Sequence, residues 1–167
     1  MKWFFLSCLI LSSCGDNYLS HLSKDQLGLF TLSESFTKDY KHLNDSIARE
    51  KLIGEYKIKV QDYLMRSCDS SLESMRVQMT KIEEDDSGKL WVEFTDNTCK
   101  YFFHQAYSTA SEMKTDVVYR FIKSLKKNTD LTLRFLYAGN VGINNPENIS
   151  DKSFEIEVIP IALVKDI

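Results

Sequence analysis

The residues with the most distinctive chemistry in this 167-residue chain are its four cysteines. A cysteine thiolate is a nucleophile and a metal ligand, and its surroundings decide which of these roles it can take. Cys14 follows an apolar stretch over residues 3–11 and the two small residues Ser12 and Ser13. This position near the amino terminus, directly behind an apolar stretch, favours covalent processing over catalysis.

Residues 1–13 have the layout of an export signal. Lys2 supplies one positive charge, and the apolar stretch behind it is much shorter than the roughly 20 residues that a membrane-spanning helix needs. A charged start, an apolar middle and small residues before a cleavage point are typical of a secretory leader. We therefore predict that this segment directs export.

The run Leu11-Ser12-Ser13-Cys14 resembles the lipobox of bacterial lipoproteins, in which an apolar residue and two small residues precede an invariant cysteine. The resemblance implies that the leader is cleaved before Cys14, that its thiol carries a diacylglyceryl group, and that the new amine is acylated, as with palmitate. Two or three acyl chains anchor a protein where one does not, because each buried methylene contributes about 0.8 kcal/mol. Gly15 follows in place of Asp, which is similar to lipoproteins forwarded to the outer membrane to face the periplasm. The alternative is an ordinary secretory leader with Cys14 incidental or disulfide-bonded.

Cys68 and Cys99 remain once Cys8 is lost with the leader and Cys14 is lipidated. An even number of cysteines in an oxidising compartment favours a disulfide. A bridge between them would stabilise the fold by roughly 3–4 kcal/mol in the chain-entropy model. Two buried free thiols are the alternative. A metal pair is less favoured, because neither a histidine nor a third cysteine stands at ligand spacing.

The other side chains that could do chemistry form no known catalytic motif. The chain has three histidines and lacks a glycine-rich phosphate loop, a nucleophile elbow, a zinc-binding HExxH and a CxxC pair. The acidic run over 83–86 lacks the alternating ligands of a calcium loop, so we interpret it as a solvated turn. The sequence therefore predicts no enzymatic activity, no bound metal, and no cofactor apart from the lipid on Cys14.

The charge balance disfavours a nucleic-acid partner. The formal net charge is −3, whereas nucleic-acid-binding proteins usually carry a basic excess. A basic helix face beside aromatic strands could stack bases, but filling of a barrel explains the aromatics sufficiently. The same basic face could instead approach anionic lipid or peptidoglycan. It comprises Arg120, Lys123, Lys126 and Lys127.

Periodicity divides the rest of the chain into helices and strands. Residues 14–32 suggest a tether that partly docks on the domain, and residues 33–167 suggest one globular domain. A helical spacing predicts a helix over 33–52 that Gly54 breaks. Alternation predicts strands over 55–64 and 74–82, separated by an insert that carries Cys68. Further strands are predicted near 90–94, 101–107, 131–135 and 154–158, with a helix over about 113–125.

If 55–64 and 74–82 are halves of one bent strand, the order of elements is that of the OB-fold, with a helix between the third and fourth strands. Three segments resemble the tRNA-anti-like OB domains of bacterial lipoproteins: 48–60, then 98–102 with a cysteine before an aromatic residue, then 125–139. The resemblance implies a mainly β fold with five to six antiparallel strands, that helix, and an N-terminal helix. Asn128 and Thr129 stand where the family usually has a glycine. An α+β roll or sandwich is the alternative fold.

An OB barrel usually binds its ligand through an open face on the second and third strands and through loops. The candidates on those strands, flanked by the loop over 139–150, are Trp91, Phe94, Tyr101 and Phe103. Alternate residues of a strand face opposite ways, so the sequence leaves open which of these rings point outward. We expect a non-enzymatic module that binds a protein partner or a small ligand at the membrane surface. An assembly accessory of the pilotin type and a phage- or plasmid-type exclusion or immunity lipoprotein are the alternatives.

Overall fold

The structure is a computed structural model that describes residues 19–86, 89–106, 115–148 and 152–163. Within these residues, two long helices precede a barrel of five strands, and a further helix lies between the third and fourth strands. The elements are α1 (Lys24–Lys41), α2 (Ser46–Asp62), β1 (Ser71–Glu84), β2 (Lys89–Thr95), β3 (Cys99–Ala106), α3 (Val117–Ser124), β4 (Asp130–Ile143) and β5 (Phe154–Leu163). A π-helical turn, Tyr63–Ser67, continues α2 toward β1.

The strands close into a barrel in the order β1-β2-β3-β5-β4. Neighbouring strands run antiparallel except for β3 and β5, which pair in parallel over 99–102 and 154–157. The mainly β fold, the OB-fold-like barrel and the helix between β3 and β4 are therefore confirmed. The expectation of antiparallel strands throughout is wrong at one pair, because β5 closes the barrel by returning from β4 alongside β3.

Strand alternation fills the interior of the barrel with apolar side chains. Every second residue is buried along β2 and along β5 from Phe154 to Pro160, while the residues between them face outward. Inside, the ring of Phe135 packs against the rings of Phe94 and Tyr101, with a centroid separation of 5.3 Å in each pair. Such aromatic pairs contribute about 0.5–1.5 kcal/mol beyond the area that they bury. The interior is thus a packed core, and ligand contacts must be sought on the outer faces of the barrel.

Residues 55–64 are helical, so the strand predicted there is wrong. Tyr56, Val60 and Leu64 recur every four residues and are at most 2% exposed, whereas the side chain of Ile58 between them is 61% exposed. A strand would have placed Ile58 on the same face as Tyr56 and Val60. The first strand of the barrel is therefore β1 alone, without the predicted second half.

The helix predicted over 33–52 is wrong in its bounds. One helix ends at Lys41 and the next begins at Ser46, so the break lies before residue 46 and not at Gly54. Asp45 causes the restart, because its side chain accepts a 2.9 Å hydrogen bond from the Ala48 N–H in the first turn of α2.

α1 begins within residues 14–32, the segment whose composition suggests a tether. Ser23 and Gln26 form a reciprocal capping box at its start. The Gln26 side-chain amide then bonds both backbone groups of Arg76 on β1: Nε2 donates to the carbonyl at 2.8 Å, and Oε1 accepts from the N–H at 3.0 Å. Leu29 and Phe36 continue the buried face of the helix. The first turns of α1 are thus docked on the barrel.

α3 packs against the barrel through Ile122, which is fully buried. Its Lys123 forms a 2.6 Å ion pair with Glu84 at the end of β1. One of the four charges of the predicted basic face is therefore already neutralised. Across the parts of the chain that the structure describes, no helix combines the length and the apolar character that crossing a membrane requires.

Candidate functional site

Three of the four aromatic residues predicted for a binding face lie inside the barrel. The side chains of Phe94 and Tyr101 are fully buried, and that of Phe103 is 5% exposed. These residues share the inward face of β2 and β3, so they serve the core and are unavailable to a ligand. Only Trp91 of the predicted set lies on the outward face, where its side chain is half-buried.

Trp91 forms an outward aromatic patch with two β3 residues, Phe102 and His104. The rings of Trp91 and Phe102 stack at a centroid distance of 5.5 Å and an interplanar angle of 11°, and the His104 ring lies 5.6 Å from the Trp91 ring. Trp91 and His104 are directly opposite in the β2–β3 register. The Trp91 Nε1–H also donates a 2.8 Å hydrogen bond to Oε1 of Glu93, which fixes the indole on the sheet surface.

Sequence reasoning missed Phe102, although the alternation of β3 contains the necessary signal. Cys99, Tyr101 and Phe103 share one parity, while Phe102 and His104 share the other. Once one parity is known to fill the core, the other must face outward. The sequence alone does not reveal which parity that is.

A cleft of about 360 Å³ adjoins the aromatic patch where β3 and β5 diverge. The parallel pairing of these strands ends at Phe102 and Glu157, and the cleft opens beyond that point, under the start of α3. His104 belongs to both the aromatic patch and the cleft wall. The cleft is lined by Phe103, His104, Gln105, Asp116, Val118, Ala138, Glu157, Val158 and Ile159.

Asp116 is the fixed carboxylate of the cleft. Its Oδ1 accepts the Tyr119 N–H at 2.9 Å and so caps α3, while its Oδ2 accepts a 3.1 Å hydrogen bond from Nε2 of Gln105. These contacts hold Asp116 in one orientation at the cleft wall. The carboxylate thereby also ties α3 to β3.

The aromatic patch and the cleft carry an excess of negative charge. Lys81 and Lys100 are already paired, with Glu83 at 3.0 Å and with Glu155 at 2.5 Å. Within the described ranges, no lysine or arginine forms an ion pair with Glu93, Asp116 or Glu157. The charge of Glu157 also reaches Tyr137, whose pKa is raised mainly by burial and further by this carboxylate. The surface therefore favours a neutral or cationic ligand over an anionic one.

Cys68 and Cys99 are free, buried thiols, which contradicts the predicted disulfide. Burial is the main cause that raises the pKa of Cys68 to about 11, and the neighbouring Asp25 adds to it. Burial, with a contribution from Asp96, likewise raises the pKa of Cys99. The two thiols sit beside different carboxylates, Asp25 on α1 and Asp96 in the β2–β3 turn, so each has its own packed environment. Both thiols act as small core residues.

Other predicted features fall partly outside the described residues. The leader over 1–13 and Cys14 lie outside them, as do residues 149 and 150 of the predicted loop over 139–150. The start of that loop belongs to β4, which contains a bulge between Tyr137 and Val141 in its pairing with β5. Gly139 takes a φ of +101° within this bulge, a value that suits glycine.

Two further observations complete the site. The described residues contain no group of three or more histidine, cysteine, aspartate or glutamate side chains arranged to hold a metal ion. The comparisons with known proteins add no relative: no protein-family model, no curated protein and no solved structure matches the chain.

Proposed function

We propose that this chain is a lipid-anchored protein of the bacterial envelope that binds a protein partner, without catalysis, through the outer surface of β2 and β3. The observation that carries the binding part is the stacked pair Trp91 and Phe102 on the outside of the barrel, continuous with the cleft through His104. The anchoring part rests on the resemblance of Leu11-Ser12-Ser13-Cys14 to a lipobox.

The composition of the aromatic patch supports a role in recognition. Tryptophan is among the residues that most often dominate binding energy at protein interfaces, and a ring held in one orientation loses little entropy on binding. The core already contains Phe94 and Tyr101, so packing of the interior does not require a second aromatic cluster on the outside. A partner that covers the patch would remove this half-exposed apolar surface from water.

The anchoring is tested by replacing the proposed lipid-bearing residue. Cys14→Ala should accumulate as an uncleaved precursor without added lipid mass, while the matched variant Cys8→Ala should be processed normally. Intact-mass measurement of both proteins from membrane fractions provides the readout. Normal cleavage of Cys14→Ala would contradict the lipoprotein proposal.

The binding role is tested by crosslinking in cells with a photoreactive amino acid. Placed at position 104, it should capture one abundant envelope protein that mass spectrometry identifies. Placed at position 58, whose isoleucine is 61% exposed on α2, it should not capture that protein. Capture from position 58 alone would show that α2, and not the barrel surface, meets the partner.

The captured protein also decides among the possible biological roles. A secretion or pilus component would identify an assembly accessory. A protein of an incoming phage or plasmid would identify an exclusion or immunity lipoprotein.

A further inference from the structure

We infer that the cleft between β3 and β5, together with the aromatic patch, recognises an arginine side chain on an exposed segment of the protein partner. The inference rests on the proposed binding function and specifies the chemistry of the partner. It combines three observations: the uncompensated carboxylates, the stacked aromatic rings and the apolar inner wall of the cleft.

Three carboxylates of this surface form no ion pair with a lysine or arginine among the described residues. Glu157 and Asp116 both line the cleft, and Glu93 lies beside Trp91 on the aromatic patch. Because Oδ2 of Asp116 and Oε1 of Glu93 accept neutral donors, both carboxylates keep their charge available. A planar guanidinium can bond a carboxylate through two parallel N–H groups, which an ammonium group cannot do with the same geometry.

Apolar side chains and aromatic rings lie next to those carboxylates. Val118 and Ile159 give the cleft an apolar wall along which the methylene stem of an arginine can lie. Phe102 is the register partner of Glu157 on the neighbouring strand, and His104 lines the cleft together with Glu157. Guanidinium groups stack favourably on aromatic rings. One arginine side chain therefore satisfies the apolar wall, the rings and the carboxylate together.

The same features disfavour the other ligands that an OB-like barrel can hold. A nucleic acid would bring phosphates toward Glu93, Asp116 and Glu157, and the described residues that line the cleft include no lysine or arginine to receive them. A neutral glycan could stack on Trp91, but it would leave the negative charge of the cleft without a counterpart. The experiment therefore includes a neutral glycan among its probes.

The experiment uses the chain purified in detergent from cells that express it with the substitution Trp3→Phe, so that Trp91 is the only tryptophan whether or not the leader is cleaved. The probes are a blocked hexapeptide of alternating threonine and arginine, the same peptide with neutral citrulline in place of arginine, and a neutral chitin tetrasaccharide. Trp91 fluorescence is titrated with each probe at low and at high salt. We expect saturable binding of the arginine peptide, which weakens with salt because the charges are only partly buried.

The variants separate the cleft from the rest of the surface. Glu157→Gln should weaken the arginine peptide about three- to fivefold, the range expected for a partly exposed charge pair with an aromatic contact. The matched variant Glu155→Gln, on the same strand but already paired with Lys100, should leave the affinity unchanged. Unchanged thermal unfolding of Glu157→Gln would establish that it folds as the parent chain does.

Three results would overturn the inference: no saturable response to the arginine peptide, equal affinity for the citrulline peptide, or tighter binding of the tetrasaccharide. An equal loss of affinity for the arginine peptide in Glu155→Gln and Glu157→Gln would also overturn it, because the carboxylate in the cleft would then not be the one that binds the peptide. Crosslinking from position 104 reports separately on the proposed function. A partner captured there, together with any of these results, would show that the surface binds a protein through chemistry other than arginine recognition.

Discussion

Nε2 of Gln26, in the first turn of α1, donates a 2.9 Å hydrogen bond to Oδ2 of Asp96 in the turn between β2 and β3. The same carboxylate accepts the Tyr101 hydroxyl at 2.9 Å and the backbone N–H groups of Thr98 and Cys99 at 2.8 and 2.7 Å. One side chain thus joins a helix, a turn and the barrel core, although these are distant in sequence.

Removing this carboxylate should be costly. Asp96→Ala leaves the Tyr101 hydroxyl and two turn N–H groups without their acceptor, and each buried unsatisfied group costs about 1–3 kcal/mol. We expect a loss of about 2–4 kcal/mol in the free energy of unfolding, allowing for partial rehydration. Urea denaturation followed by circular dichroism measures it. Asn97→Ala, an exposed change in the same turn, is the control and should cost under about 0.5 kcal/mol.

Two helical glycines should respond to alanine in opposite ways. A Cβ at Gly54 meets nothing within 4 Å, so Gly54→Ala should stabilise α2 by about 0.5–1 kcal/mol through helix propensity. A Cβ at Gly28 would clash with the hydroxyl group and ring of Tyr63, so Gly28→Ala must displace that ring and should lower the melting temperature. Tyr63→Ala in the Gly28→Ala background should recover part of the loss. Equal changes in melting temperature for the two glycine variants would show that α1 does not approach the π-helical turn this closely.

The free thiols predict a specific labelling pattern. Since burial raises the pKa of both Cys68 and Cys99, neither should react with iodoacetamide at pH 7.5 in the folded protein. In urea without reductant, both should react within minutes, as intact-mass measurement will show. Cys68→Ser and Cys99→Ser variants assign each mass increment. If the two cysteines stayed unreactive in urea and reacted only after reduction, the result would show that they form a disulfide.

The ion pair between Glu84 and Lys123 predicts a pH dependence. The hydrogen bond from Lys123 is the main cause that lowers the pKa of Glu84, and the pair likewise raises the pKa of Lys123. A carboxylate whose folded pKa is lowered stabilises the fold above its unfolded pKa, and this stabilisation is lost as the pH falls through the folded pKa. The contribution should be small, because both side chains are partly exposed.

Carbon-detected NMR titration of the Glu84 carboxyl group measures this effect. Lys123→Met should return the pKa of Glu84 toward its ordinary value, whereas Lys127→Met, an exposed change beyond α3, should not. An unchanged Glu84 titration in Lys123→Met would mean that the pair does not persist in solution.

The barrel was predictable because its strands carry the alternation that burial demands. Leu90, Val92 and Phe94 of β2 are all buried, as are Phe154 and Ile156 of β5. A half-buried strand shows this period in its residue types, so β2 and β5 could be located from the sequence. The helix between β3 and β4 was equally visible, and its order among the strands specified the OB-like arrangement.

The second helix was missed because its sequence carries two periods at once. Tyr56, Ile58 and Val60 alternate like a strand, but Tyr56, Val60 and Leu64 also recur at helical spacing. Only the exposure of Ile58 separates the two interpretations, and that exposure depends on packing against β4, which no local pattern contains. Trp91 was predicted for the candidate site and Phe102 was not, because strand parity is decided by the closed barrel.

The contact between Gln26 and Arg76 has a consequence for the integrity of the sheet. The pairing of β1 with β2 begins at Gln78, so β2 does not reach Arg76. The side-chain amide of Gln26 bonds the backbone N–H and C=O of Arg76 instead. A side chain here does what a neighbouring strand would otherwise do, and it protects a sheet edge from strand addition by another molecule. Loss of α1 would therefore leave the backbone N–H and C=O of Arg76 open to a strand of another molecule and favour aggregation.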